Sequence, residues 1–206
     1  MFAPVAGLSP LGRIVMALAG TVDVVVAAAE PLAGAVREVL VRHGLSAVRV
    51  AVAESPGERS QCVAAGLRAV ADGNHVLVQD IEWPIVGAGV LERIVTTLQQ
   101  GAVAVMPTRP VTDSVKMVSA DGVVTGTLDR TTLRAVHYPR GFDAEVLALL
   151  VQHGESGSFD ELEAALSTGT KVTLVEGDDE ALSVELPRDT GYLAALIEGR
   201  QDLTDR

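Results

Sequence analysis

Short β-branched runs alternate with helix-spaced apolar stripes along most of this chain, and that alternation restricts it to a small set of folds. Val22 to Val26, Val48 to Val52, His75 to Gln79 and Ala102 to Met106 are each five residues long. Runs of that length and type suit strands covered on both faces. Between them lie segments with apolar residues at helical spacing. Ser9 and Pro10 cap and open the first, with Leu11, Ile14, Val15 and Leu18 as its stripe. Pro31 opens the second, which carries Val36, Val39 and Leu40 and stops at Gly44. Ser55-Pro56-Gly57-Glu58 has the spacing of a capping box ahead of Val63, Leu67 and Val70, and a fourth helix is expected over Val90 to Leu98. Strands and helices in this order build β-α-β units, which gives an α/β fold with a doubly wound, mostly parallel sheet.

The alternation breaks between Pro107 and Pro139. Ala120-Asp121-Gly122 sits between apolar runs, which signals a hairpin, so the stretch from about 108 to 136 is expected to project as a β-arm. Helices near Ala144 to Leu150 and Asp160 to Leu166, a strand at Val172 to Val175 and a helix at Tyr192 to Ile197 complete residues 1–206, read as one domain. The last residues, Asp202 to Arg206, are expected to fray.

Charge and cysteine content narrow the setting. The formal net charge of −11 opposes binding to nucleic acid or to an anionic membrane, both of which need a basic face. The single cysteine, Cys62, rules out an internal disulfide and suits a reducing compartment. No apolar run approaches the roughly 18 residues of a membrane span, and no signal-peptide pattern opens the chain, so a cytoplasmic location is expected. The four histidines show no i, i+4 pairing and no zinc-type spacing. His43, His75 and His153 stand at element boundaries and read as structural, whereas His137 reads either as structural or as part of a ligand site.

Ligands of open α/β sheets bind beyond the carboxyl ends of the strands, and Asp80 follows Val76-Leu77-Val78-Gln79 at such an end. A carboxylate there suits Mg²⁺ held jointly with substrate phosphates, or simply caps the next turn.

Several segments, in order, resemble the 2-C-methyl-D-erythritol 4-phosphate cytidylyltransferases. Val76 to Pro84 is similar to that family's V-L-V-H-D-A-A-R-P, and Pro110-Val111-Thr112-Asp113-Ser114-Val115-Lys116 to its P-V-x-D-T-x-K. Leu128-Asp129-Arg130, the helix start from Glu58-Arg59 to Gly66-Leu67, and Leu174-Val175-Glu176-Gly177 resemble further segments. The resemblance implies a nucleotidyltransferase-like (Rossmann-like) fold and transfer of CMP from CTP to methylerythritol phosphate in isoprenoid precursor synthesis. It implies catalytic roles for Arg130, Lys116 and Ser114, and substrate contacts for Asp80, Asp113, Arg59 and Cys62. It also implies Mg²⁺ at Asp80 if nucleotide binds, and a homodimer with interlocked arms.

The departures weigh equally. The family's opening strand, its G-x-G-x-R loop and the P-K that follows have no counterpart here, because Phe2-Ala3-Pro4 already aligns beyond that lysine. Gly7 alone cannot form the nest of amides that a triphosphate needs. Ser183 stands where the family has a late lysine, Trp83 where it has an arginine, and Cys62 where it has a serine. Lys116 and Lys171 are the only lysines. A catalytically impaired or non-catalytic member is therefore expected, with CTP or another nucleotide bound weakly if at all. The alternative is an active enzyme whose natural start lies upstream of Met1. In a 3-2-1-4 strand order the missing strand is central. The strands at Val22–Val26 and His75–Gln79 are therefore expected to close up and pair directly, displacing the first helix, unless Phe2 to Ala6 fills the slot.

Overall fold

The computed structural model describes residues 1–70, 73–154 and 159–204. The expected helices form: α1 (Pro10–Ala19), α2 (Glu30–Arg42), α3 (Arg59–Ala69), α4 (Ala88–Gln99), α5 (Ala144–His153), α6 (Glu161–Ser167) and α7 (Thr190–Thr204). In α1 the Ser9 hydroxyl accepts the Gly12 N–H at 3.1 Å, and Leu11, Ile14, Val15 and Leu18 are all buried. The α3 start differs from expectation. The capping pair is Glu58 with Gln61, whose Oε1 takes the Glu58 N–H at 2.8 Å, so Ser55 to Gly57 is loop. The last helix runs past Asp202 to Thr204; Asp205 and Arg206 lie outside the described residues.

The strands are β1 (Val25–Ala29), β2 (Arg49–Ala53), β3 (His75–Val78), β4 (Ala104–Pro110), β5 (Lys116–Val118), β6 (Val124–Thr127), β7 (Arg134–Val136), β8 (Arg140–Asp143) and β9 (Val172–Glu176). β1 and β2 pair in parallel by themselves. β3 pairs with β8, which the sequence pattern did not announce as a strand, and β8 pairs antiparallel with Ala104 and Val105 of β4. β7 continues along the same edge of β4 at Thr108 to Pro110, while β9 runs parallel along the opposite edge. The larger sheet is therefore mixed, with helices packed on it in the α/β manner. Its core is Ala104, Met106, Phe142, Leu147 and Leu150, each at most 1% exposed. Gly141 lets α4 lie close on β8, since a Cβ there would stand 2.4 Å from Ile94 Cγ2. The arm is the hairpin β5–β6, turned at Gly122 with φ +84°, a conformation that favours glycine. No helix among the described residues is long and apolar enough to cross a membrane.

One expectation fails. β1 and β3 do not pair, and Phe2 to Ala6 is not a strand between them; Val5 makes only an isolated bridge to Leu8. α1 explains why the strands stay apart. Its Ile14 and Leu18 form one cluster with Leu91 of α4, and against this pack Val24 next to β1 and Leu77 of β3. The helix thus spans both halves of the sheet, and closing the strands together would remove the apolar seat of its buried face.

Candidate functional site

At the carboxyl end of β3, Asp80 is held from two sides. Its Oδ1 accepts the Glu82 N–H at 2.9 Å, as in an Asx turn, and its Oδ2 is ion-paired with Arg59. Arg59 is the first residue of α3, so the helix fixes the base of its side chain while the guanidinium reaches across to three partners. Besides Asp80 it donates from Nε to Glu161 Oε1 at 2.9 Å and from Nη2 to the Tyr138 hydroxyl at 2.8 Å. Burial opposes the charge on Arg59, but Glu161, Tyr138 and Asp80 outweigh it and raise its pKa.

Glu161 is the centre of the cluster and is 0% exposed. Arg140 of β8 donates to Glu161 Oε2 at 2.9 Å and to Asp160 Oδ2 at 2.7 Å, and the Tyr138 hydroxyl donates to Glu161 Oε2 at 3.2 Å. The Arg140 guanidinium lies 4.3 Å from the centre of the Tyr138 ring, close enough for a cation–π contact. Burial, then the Glu161 carboxylate, pushes the Tyr138 phenol up, so it stays protonated as a donor. Such a set is costly to bury and holds only when every charge is answered. Here two guanidiniums face three carboxylates. The cluster offers no spare positive charge.

Beside it the Trp83 ring lies tilted against His137, with ring centroids 5.0 Å apart, and against Tyr138 at 5.9 Å. Trp83 therefore fills space at the strand ends. Burial, and next Arg109, lowers the His137 pKa. Cys62, one turn into α3, is partly buried, and burial raises its thiol despite the nearby Arg59. It is a small packed residue with no activated thiolate.

The expected site residues fall into two groups. Asp80, Arg59 and Cys62 come together at the strand ends. Asp113, Ser114, Lys116 and Arg130 lie on the arm, all exposed. Lys116 Nζ donates to Thr127 Oγ1 at 2.8 Å across the hairpin, and Arg130 donates to the Thr112 carbonyl. Among the described residues no hydrogen bond or ion pair joins the groups. His43, read as structural, ties α2 to α1 through Ser9 Oγ at 3.1 Å.

As arranged, the residues do not fit a resident Mg²⁺. Asp80 gives one carboxylate, already engaged by Arg59, and no cluster of three metal-ligating side chains occurs among the described residues. Sequence reasoning missed Glu161, Asp160, Tyr138 and Arg140. An acidic pair opening a helix reads as ordinary first-turn charge, and only β8, unforeseen, carries Arg140 to it.

The sequence profile of the 2-C-methyl-D-erythritol 4-phosphate cytidylyltransferases matches residues 1–198. The enzyme of that name from Rhodococcus opacus is 34% identical over 200 residues, covering 96% of this chain and 86% of the relative. That from Nocardia farcinica is 36% identical over 207 residues, covering 98% and 87%. The crystal structure of the Thermus thermophilus cytidylyltransferase superposes with a TM-score of 0.74 at 26% identity, covering 96% of this chain and 93% of that one. The fold alone is shared with an Anaerococcus prevotii 4-diphosphocytidyl-2C-methyl-D-erythritol synthase, at a TM-score of 0.79 and 17% identity, covering 95% and 88%. The chain belongs to the 2-C-methyl-D-erythritol 4-phosphate cytidylyltransferase family.

Proposed function

We propose that residues 1–206 form a cytidylyltransferase-family protein, working in the cytoplasm, whose own capacity for CMP transfer from CTP is strongly reduced. The observation that carries this reading is the ion-paired cluster. Arg59 and Arg140 are committed to Asp80, Asp160 and Glu161, so neither guanidinium is available to a triphosphate. Nucleotidyl transfer depends on positioning and on positive charge around the reacting phosphorus. Loss of one preorganised donor lowers a rate by roughly 10²–10³, and losses within one site do not simply multiply. The two lysines lie on the arm and at Lys171 next to β9, away from this cluster. With CTP and methylerythritol phosphate, pyrophosphate release should stay below about 10⁻³ of a complete family member. A turnover within about tenfold of a complete enzyme would overturn the reading.

The alternative reading is an active enzyme completed by residues outside 1–206. The 34–36% identity to catalytically named relatives over nearly the whole chain favours it. Preparing the protein from the longest reading frame that contains Met1 tests this directly: restored turnover supports the alternative, and unchanged turnover supports impairment.

We also propose a homodimer through the arm. Met117, Val118, Val123 and Val124 are 44–60% exposed on a two-stranded hairpin, which is marginal alone in water. A partner arm would cover them and bring Lys116 and Arg130 of each subunit toward another surface. Light scattering at micromolar concentration should give twice the monomer mass, and a monomer removes the claim.

A further inference from the structure

Two positions at which this chain departs from the family motifs lie 100 residues apart in sequence, and the structure brings them together. Trp83 stands at the arginine position of the strand-end segment, and Ser183 at that of the late lysine. The Val184 N–H donates to the Glu82 carbonyl at 2.8 Å, so Ser183 and Val184 run alongside Glu82 and Trp83. Val184 and Ile85 share one buried cluster, which fixes this crossing. The turn under Trp83 is tied as firmly. Its N–H donates to the Asp80 carbonyl at 3.1 Å, and Gln79 Nε2 donates to its carbonyl at 2.7 Å. The indole itself is half-buried against His137 and Tyr138, while Glu82 and Ser183 beside it are exposed. Where the family motifs would put two cations, this chain puts an indole, a hydroxyl and, one residue before the indole, a carboxylate.

We propose that Trp83, with Glu82 and Ser183 at its rim, binds a small organic cation of the quaternary-ammonium kind and not a phosphate. Three features set the sign of the ligand's charge. An indole face attracts cations more strongly than any other ring in proteins. Glu82 adds a carboxylate next to it, and the net charge of −11 draws cations toward the whole surface. A phosphate would find no free partner, because Arg59 is paired with Asp80 and Glu161, and Arg109 with Glu176 and Asp179. His137 does not supply one either. Burial, and next the Arg109 charge, disfavour its protonation, and its Nδ1 is buried without a partner among the described residues. A purely apolar ligand would gain nothing from Glu82. The inference concerns binding alone and does not rest on the reduced CMP transfer proposed above.

Trp83 is the only tryptophan, so its fluorescence reports on the site directly. The full chain is titrated with choline, with dimethylbutanol (the uncharged isostere, carbon in place of the quaternary nitrogen) and with inorganic phosphate, and affinities are measured by calorimetry. Choline should shift the emission saturably and bind at least roughly fivefold more tightly than dimethylbutanol. Phosphate should leave the emission unchanged. Glu82→Gln, at an exposed position, should weaken choline binding about two- to fivefold and leave dimethylbutanol binding as it was. Trp83→Arg combined with Ser183→Lys should abolish choline binding and allow phosphate to bind. Equal binding of choline and dimethylbutanol to the unaltered chain would make the ring a plain apolar patch and overturn the proposal. So would phosphate binding as tight as choline binding, absence of a saturable shift, or a shift that follows protein concentration alone and so places a second copy over the ring.

Discussion

β4 opens on Ala-Val and β1 on Val-Val, yet the two strands end in different states. β4 carries ladders on both edges, and Ala104 to Thr108 are buried without a break. β1 has one partner, and only Ala28 of its five residues is buried. β3, across a cavity from it, has no buried residue. Composition sets what a strand tolerates; the number of neighbours sets what it buries. The molecule thus has a closed half around β4 and an open half around β1 and β2, and its behaviour under perturbation should follow that division.

What joins the halves is the sharpest place to break the comparison. α3 packs on β1 and β2, and its Arg59 reaches Glu161 of α6, which packs with α5 on the closed half. Glu161→Gln would leave Arg59 and Arg140 without their shared buried carboxylate charge. Removing one partner of a buried pair costs about 3–5 kcal/mol. The denaturant midpoint should fall accordingly. Because Arg59 anchors the open half, exchange at β1 and β2 amides should rise before exchange at β4. Simultaneous rise in both halves would show that the division has no energetic meaning.

Two glycines sharpen the comparison further. Gly141→Ala in β8 places a Cβ 2.4 Å from Ile94 Cγ2 and 3.0 Å from Leu98 Cδ1, in the closed half. Overpacking of this kind costs about 1–3 kcal/mol. Gly66→Ala in α3 meets only Ala27 Cβ, at 3.5 Å, beside the cavity. There the helix preference for alanine should dominate and stabilise by up to about 1 kcal/mol. Thermal melts of the two variants should move in opposite directions. A loss at Gly66 as large as that at Gly141 would mean the open half is packed as tightly as the closed one.

Much of this was legible in the residues, and the part that was not has a physical cause. Helical stripes such as Leu11, Ile14, Val15 and Leu18 are local patterns, and they appeared where expected. The hairpin at Asp121-Gly122 is likewise local. The pairing of strands is not local. The same Val-rich run at β1 serves with one neighbour or two, so the open slot could not be read from it. The ordinary hydrogen-bond argument favoured closure, and the span of α1 across both halves outweighed it. In the candidate site, Asp80 and Arg59 were legible through the family resemblance, but their mutual pairing was not. It depends on Glu161, 102 positions from Arg59 in sequence, and on β8, whose four residues Arg-Gly-Phe-Asp carry little strand signal.

The smallest expected effect lies at the rim of the same cluster, in acid. Burial tends to raise the Asp160 pKa, but the Arg140 hydrogen bond and the N–H groups of Glu163 and Leu162 outweigh it, so the carboxyl titrates below its ordinary value. A depressed folded-state pKa contributes stability that is present above the unfolded value, about 3.9, and is lost as the pH falls through the folded value. Asp160→Asn keeps a good helix cap, since Asn accepts N–H groups at that position as Asp does, and removes only the charge. The stability difference between wild type and this variant should be constant above about pH 5 and shrink below about pH 4. Its size should stay under that of either larger substitution, because the Asp160 side chain is 37% exposed and solvent screens its pairing with Arg140. Glu161 has no such exposure, so the contrast between neighbouring acids tests whether burial, rather than the number of ionic contacts, governs the strength of the seam. A variant curve parallel to wild type down through pH 3 would show that Asp160 acts only as a cap.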